Sequence, residues 1–253
     1  MNFFYGINND IFKSEIQIPL FKNRILKTQN LELFRCFPQN KRWVIKKVKN
    51  KKINDYFYVL QNQDISSNEI YFLAENKDLK NFDNIKLKNF NNFTESSPAY
   101  RANFKIYLND GGFSSYQSEY PYSMVTKKGT ILSSINSIAN SRASKNYILV
   151  RNIYQEPIEE KFNAYLVNIK TKKIESEHEL MTNYTNMIEI DSQLIKPEIF
   201  FITKSFLGVP MYVSVKDRFL SFEHTHPPHE YILSKNKFIK ITELKNEINR
   251  IIA

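Results

Sequence analysis

The chain has 253 residues, a net charge of +10 and one cysteine, and aromatic residues make up 14% of it. With so many aromatic residues and only five glycines, the chain can bury a substantial core, so we do not expect disorder over most of its length. A single cysteine excludes an intramolecular disulfide, and no apolar run approaches the length of a membrane span. The N-terminus lacks a basic stretch followed by an apolar segment, so we expect a cytoplasmic protein.

Hydrophobic patterning predicts strands along most of the chain. Short runs of β-branched and aromatic residues are separated by polar turns, and helical periodicity is rare, so we expect an all-β fold, a sandwich or barrel of antiparallel strands. The predicted strands span residues 43–48, 56–61, 69–74, 103–108, 146–151, 164–169, 187–190, 199–203, 211–215 and 219–223. The strand at 164–169 is predicted to start a hairpin with a basic tip, and a second hairpin turns at Lys216-Asp217.

Two segments depart from the strand pattern. Residues 133–143 fit either a short helix or an irregular loop. At the C-terminus, apolar residues recur on one helical face, which predicts a short α-helix that packs on a sheet and is capped by Thr242. The residues of this face are Ile241, Leu244, Ile248 and Ile251.

Composition also suggests a domain boundary. Residues 77–97 are rich in lysine and asparagine, contain few β-branched residues and end just before Pro98. The sequence therefore predicts an N-terminal β-rich region over 1–95 and a C-terminal β-sandwich or barrel domain over 98–253, which includes the terminal helix. A core shared by both regions is the alternative.

The positive charge raises the question of nucleic-acid binding. The densest basic cluster spans residues 46–52 and lies between two apolar runs, where a solvated hairpin connection is expected. The remaining basic residues are dispersed, and no nucleic-acid-binding motif accompanies them. We therefore do not expect a nucleic acid as the partner.

Three of the four histidines lie close together in the string Glu-His-Thr-His-Pro-Pro-His-Glu, which spans residues 223–230. Imidazole and carboxylate groups are ligands that divalent transition metals accept. If the preceding strand continues, alternation places His224 and His226 on one face, where they can chelate an ion, while His229 and Glu230 compete for the next position. The alternative is that these histidines hydrogen-bond within a polar seam.

The same string resembles the first metal-binding motif of cupins, His-x-His-x(3,4)-Glu, over about fifteen residues. This resemblance implies that His224, His226 and Glu230 bind iron, manganese, nickel or zinc. The second cupin motif is absent, and no histidine follows Glu230. A complete cupin site would therefore need His178, upstream in the chain, as its fourth ligand.

A second unusual segment, residues 109–122, reads Asn-Asp-Gly-Gly-Phe-Ser-Ser-Tyr-Gln-Ser-Glu-Tyr-Pro-Tyr. The Asp-Gly-Gly step permits a tight turn, and the following hydroxyls, amide, carboxylate and tyrosines suit a polyhydroxylated ligand. The alternative is a loop whose tyrosines pack on the core. Two arginines add candidate anion contacts, although each could instead pair with a carboxylate. The predicted ligand-binding residues are Ser114, Ser115, Tyr116, Gln117, Glu119, Tyr120, Arg101 and Arg151.

Two functions of different classes follow from these patterns. In the first, the protein is an enzyme that acts on a small polar molecule with the help of a divalent transition metal (Zn, Fe, Mn or Ni) held by the histidine string. The candidates for proton transfer are Glu223, Glu230 and Glu119. Both unusual strings also resemble those of proteins linked to bacterial surface-glycan synthesis, which implies a sugar or sugar precursor as substrate. In the second, a non-catalytic β-sandwich module binds a glycan or a protein partner, and the histidine loop is structural.

Overall fold

The computed structural model describes residues 2–19, 31–49, 51, 53, 57–80, 82–89, 102–109, 111–224 and 235–253. These residues form antiparallel sheets and one C-terminal helix, so the predicted all-β fold class with a terminal helix is confirmed. No helix within the described ranges is long and apolar enough to cross a membrane.

The chain forms two compact units, which we call the N-terminal unit and the C-terminal unit. The N-terminal unit comprises Met1–Lys127, Ile153–Glu159 and Asn183–Thr185, and the C-terminal unit comprises Lys128–Asn152, Glu160–Thr182 and Asn186–Ala253.

The N-terminal unit contains two larger sheets, with strand orders β5-β2-β7-β8 and β4-β3-β6, and the short pair β1-β9. Its strands are β1 (Asn2–Phe3), β2 (Phe12–Pro19), β3 (Glu32–Gln39), β4 (Arg42–Lys47), β5 (Phe57–Leu60), β6 (Ile70–Ala74), β7 (Ala102–Leu108), β8 (Phe113–Ser118) and β9 (Tyr120–Pro121). Single turns of 3-10 helix at Asn62–Asp64 and Asn76–Leu79 and one α-helical turn, α1 (Tyr122–Val125), connect them.

The burial of residues along these strands shows which side of each strand faces the core. Every second residue of β2 from Phe12 to Ile18 is buried, and the residues between them are half-buried or exposed. Strand β6 is buried along its whole length, and Phe72 packs edge-to-face against Phe3 with ring centroids 5.8 Å apart. Cys36 lies in this interior, where burial raises the pKa of its thiol above its ordinary value.

The C-terminal unit contains two four-stranded sheets, with orders β10-β15-β12-β13 and β14-β11-β16-β17. Its strands are β10 (Leu132–Ser134), β11 (Lys145–Arg151), β12 (Lys161–Asn168), β13 (Lys173–Met181), β14 (Thr185–Ile190), β15 (Ile199–Thr203), β16 (Val209–Lys216) and β17 (Phe219–His224). The two sheets are linked by a buried hydrogen bond of 2.7 Å that Tyr212 Oη donates to Ser133 Oγ.

The C-terminal helix α2 (Lys235–Ile251) packs on the first of these sheets. Ile248 and Ile252 are buried in one cluster with Tyr165 and Val167 of β12 and Ile202 of β15. The predicted helix on a sheet is therefore confirmed. The predicted cap is wrong, because Thr242 lies inside the helix rather than before its first turn.

Other local predictions have mixed outcomes. Both hairpins form, and Lys172 and Asp217 occupy left-handed turn positions with φ of 56°. Residues 133–143 are an irregular segment with a single 3-10 turn at Ile135–Ser137. The sequence patterns do not predict six of the strands, which are β1, β2, β3, β8, β9 and β10. Strand β2 has Ser14 at a core position, β3 contains a proline, and β8 lies in the segment predicted as a ligand-binding loop.

The units also differ from the division that composition suggests. The predicted boundary places β7 in the C-terminal domain, but β7 pairs antiparallel with β2, from Phe12 opposite Leu108 to Gln17 opposite Asn103. Strand β8 then pairs with β7. Pairing between segments so distant in sequence leaves no trace in local composition, and the described residues 77–80 and 82–89 belong to the N-terminal unit.

Candidate functional site

The first candidate site is the histidine string, of which the structure describes only the beginning. Glu223 and His224 are the last two residues of β17, where Glu223 is exposed and His224 is half-buried. His224 lies opposite Met211 and Glu223 opposite Tyr212, so the two side chains are on different faces of the sheet. The remaining predicted metal ligands, His226, His229 and Glu230, lie outside the described residues, and the metal site stays a prediction.

The other histidine has a different environment. His178 lies on the edge strand β13, and its Nε2 is 2.9 Å from Ser176 Oγ on the same strand. Burial lowers the pKa of this imidazole. Among the residues that the structure describes, no three histidine, cysteine, aspartate or glutamate side chains are grouped closely enough to hold a metal ion.

The segment predicted as a ligand-binding loop forms most of the β7–β8 hairpin. Alternation in β8 divides the predicted residues between its two faces. Ser115 lies opposite Lys105 and Gln117 opposite Asn103, so both point to the outer side of the sheet. Ser114 and Tyr116 lie on the other face, opposite the buried Ile106 and Phe104.

The end of the same segment is part of the core. Tyr120 is 0% exposed and pairs with Phe3, so in this structure its ring is not available to stack on a ligand. Ser118 Oγ donates a hydrogen bond of 2.7 Å to the carbonyl oxygen of Tyr5 and accepts one of 2.9 Å from its amide. Glu119 is half-buried and accepts a hydrogen bond of 3.5 Å from Asn2 Nδ2.

The remaining predicted residues do not join this face. Arg101 lies outside the described residues. Arg151 is 0% exposed in β11, where it pairs with Val209, and a ligand arriving from solvent therefore has no access to its guanidinium. Of the proton-transfer candidates, Glu119 belongs to the N-terminal unit, Glu223 belongs to the C-terminal unit, and Glu230 lies outside the described residues.

The arrangement that the structure does assemble is the outer face of the sheet β5-β2-β7-β8, which we call the outer sheet face. Three adjacent strands contribute alternate residues to it, and their registers place them in three cross-strand rows. The rows are Lys13-Tyr107-Phe113, Glu15-Lys105-Ser115 and Gln17-Asn103-Gln117.

A hydrogen-bonded network occupies the middle of the outer sheet face. Oε1 of Glu15 accepts bonds from Gln17 Nε2 at 2.8 Å and from Lys105 Nζ at 2.9 Å. The bond with Glu15 raises the pKa of Lys105 above its ordinary value, so the ammonium stays charged at neutral pH. Because the side chains of Lys105 and Glu15 are only 23% and 20% exposed, their positions are largely fixed before any ligand arrives.

An aromatic pair borders this network. The rings of Tyr107 and Phe113 are stacked, with centroids 5.5 Å apart and planes inclined by 30°. Phe113 is 59% exposed, which leaves much of its ring in water. Such exposure is costly for an apolar ring, so an exposed aromatic beside ordered polar groups is a typical contact for an amphipathic ligand.

Of the nine residues of this face, the sequence predicts Ser115 and Gln117 as ligand-binding residues and misses the other seven. Three of the seven lie on β2, which the sequence does not predict as a strand. The alternation Phe113, Ser115, Gln117 was the available signal, since it puts an aromatic, a hydroxyl and an amide on one side of a strand. Comparison of the chain with protein-family models, curated proteins and solved structures found no match in any of the three.

Proposed function

We propose that the protein is a binding module for a neutral glycan, which lies across the outer sheet face. The observation that carries this proposal is the stacked pair Tyr107 and Phe113 beside the network of Glu15, Gln17 and Lys105. Sugar rings have an apolar face and a rim of hydroxyl groups, so they match a surface that offers both an aromatic ring and fixed donors and acceptors.

The chemistry of each row fits one part of such a ligand. The exposed Phe113 ring offers a stacking platform for a pyranose. In the next row, Lys105 donates and Glu15 accepts, and among the described residues no hydrogen bond uses Oε2 of Glu15. In the third row, the amides of Gln17, Asn103 and Gln117 both donate and accept, which suits hydroxyl groups.

The test is isothermal titration with a panel of neutral oligosaccharides that includes cellohexaose, xylohexaose and mannohexaose. We expect at least one of them to bind and Phe113→Ala to weaken that binding by roughly tenfold, equivalent to about 1.4 kcal/mol, because the stacking contact is lost. Phe219→Ala is the matched control, since Phe219 is 78% exposed in the C-terminal unit. Equal loss in both variants, or unchanged affinity in Phe113→Ala, would refute the proposal.

A second proposal is the metal-assisted enzyme, with Zn, Fe, Mn or Ni bound by His224, His226 and either His229 or Glu230. It is supported by the position of Glu223 and His224 at the end of β17, immediately before the other residues of the string. The substrate would be a small polar molecule such as a sugar or sugar precursor, and cytoplasmic, bacterial glycan synthesis would be its setting.

Element analysis tests the second proposal independently of the first. The enzyme hypothesis expects close to one metal equivalent in purified protein and a rise in thermal midpoint on adding metal, lost in His224→Ala. Less than roughly a tenth of an equivalent, with no rise on adding Zn, Fe, Mn or Ni, would contradict it. Neither result affects the outer sheet face, which lies in the N-terminal unit.

A further inference from the structure

The sheet β4-β3-β6 brings together basic residues that are separate in sequence. Register places Arg35 opposite Lys46 and Gln39 opposite Arg42. Between these pairs lies Phe37, whose partner is Val44. These six residues share one side of β3 and β4 and are half-buried or exposed, whereas their sequence neighbours Phe34, Cys36 and Trp43 are buried on the other side. We call this surface the basic face.

The charges of the basic face are incompletely balanced. Directly opposed like charges destabilise a sheet, yet Arg35 and Lys46 are opposed. Arg35 is offset by Glu69, whose Oε1 is 3.3 Å from its Nη1. Lys46 Nζ lies over the Phe37 ring, 5.5 Å from the centroid. Within the described part of the chain, neither Lys46 nor Arg42 forms an ion pair with a carboxylate.

On the opposite side of β4, in contrast, the lysine forms an ion pair. Lys47, the residue after Lys46, points to the other side of β4 and is paired with Glu32. Other strand lysines are paired in the same way, including Lys105 with Glu15 and Lys161 with Glu179. On the basic face, Arg42 and Lys46 have no such partner among the described residues, so a bound anion there would offset their charge.

We propose that the basic face binds an acidic polysaccharide through its carboxylate or sulfate groups. Arginine forms bidentate bonds with such groups, and lysine contributes a point charge. Arg42 and Lys46 are four residues apart on one strand, so their side chains can contact anionic groups about 13 Å apart along an extended chain. This site is separate from the outer sheet face and does not depend on the function proposed for that face.

A polysaccharide fits this surface better than a nucleic acid does. Proteins that bind single strands stack the bases on exposed aromatic rings. Phe37 is the aromatic residue of the basic face, and its ring is half-buried and covered by Lys46. The surface therefore offers charge and hydrogen bonding without a free stacking platform.

Arg35 and Arg42 are among the basic residues that are dispersed in the sequence, whereas Lys46 belongs to the cluster at 46–52 for which the sequence predicts a solvated hairpin connection. Only the register of the β3–β4 hairpin makes them neighbours. Its tight turn places Asn40 and Lys41 at φ of 50° and 58°, which fixes this register.

The test uses the full chain with dextran sulfate and dextran, which share a backbone and differ in charge. We expect dextran sulfate to bind, and Arg42→Gln and Lys46→Gln each to weaken that binding roughly fivefold at low salt. Polygalacturonate serves as the carboxylated counterpart and distinguishes carboxylate from sulfate as the preferred group. Raising the salt toward about 1 M should remove the difference in dextran sulfate affinity between wild type and variants, because charges farther apart than about 3 Å are then screened.

Lys47→Gln is the matched control, because it removes the same charge from the adjacent residue on the opposite side of β4. An equal loss in Lys47→Gln would show attraction by net charge and overturn the proposal. Absence of dextran sulfate and polygalacturonate binding would overturn it too, as would tighter binding of single-stranded oligouridylate than of either polysaccharide. Phe113→Ala should leave this binding unchanged, which separates failure here from failure of the outer sheet face.

Discussion

The substitution Tyr120→Ala tests whether the side chain of Tyr120 belongs to the core or contacts a ligand. The side chain is 0% exposed in β9, and replacing a buried aromatic with alanine costs about 3–5 kcal/mol. The Phe113 side chain has an aromatic surface of roughly 200 Å², of which 59% is exposed, so Phe113→Ala loses only the burial of the remaining part. At about 25 cal/mol per Å², the buried fraction of Phe113 contributes about 2 kcal/mol at most.

The assay is thermal unfolding followed by circular dichroism. For a chain of this size, a loss of 3–5 kcal/mol corresponds to a decrease of about 6–20 °C in the midpoint, so we expect Tyr120→Ala to melt well below Phe113→Ala. Both variants should retain their far-ultraviolet spectrum at low temperature. A midpoint for Tyr120→Ala equal to that of wild type, together with loss of glycan binding, would place Tyr120 at the surface and refute the assignment.

Two further predictions concern polar groups. Because burial lowers the pKa of His178 below 6.5, the unfolded state binds this proton more tightly, so stability falls as the pH drops below about 6.5. His178→Gln should show a smaller loss of urea midpoint between neutral and acidic pH, and identical pH profiles would contradict this. Asn183, at φ of 56°, donates to the carbonyl oxygens of Glu156 and Ile158, both at 2.9 Å, and accepts from the Tyr154 amide at 2.8 Å. Asn183→Ala should cost about 3–4 kcal/mol in urea unfolding. Asn183→Asp should cost at least as much, because the buried carboxylate keeps the acceptor but faces two carbonyl oxygens without a donor; a small cost for Asn183→Asp would refute the role of the donors.

Local periodicity predicts most strands of the C-terminal unit because these strands consist mainly of apolar and β-branched residues. Strands such as β11 and β16 are buried along nearly all of their length, and their runs are visible without knowledge of their partners. The terminal helix is predictable for the same reason, since Ile248 and Ile251 repeat at helical spacing.

The outer sheet face could not be predicted as a site because it depends on pairing. Glu15 and Lys105 are ninety residues apart, and only the ladder between β2 and β7 makes them hydrogen-bond partners. The sequence singles out the segment 109–122 by its composition, but composition does not show which residues share a face. The period of β8 places Tyr116 on the inner face and Phe113 on the outer face.

The central claim is that a neutral glycan lies on the outer sheet face, and amide chemical shifts report its position directly. We would titrate isotopically labelled protein with the neutral oligosaccharide that binds most tightly. The account predicts saturable shifts concentrated on the amides of Lys105, Phe113 and Gln117, with little change in β17. Shifts concentrated on Glu223 and His224, or the absence of saturable shifts on the outer sheet face, would contradict it.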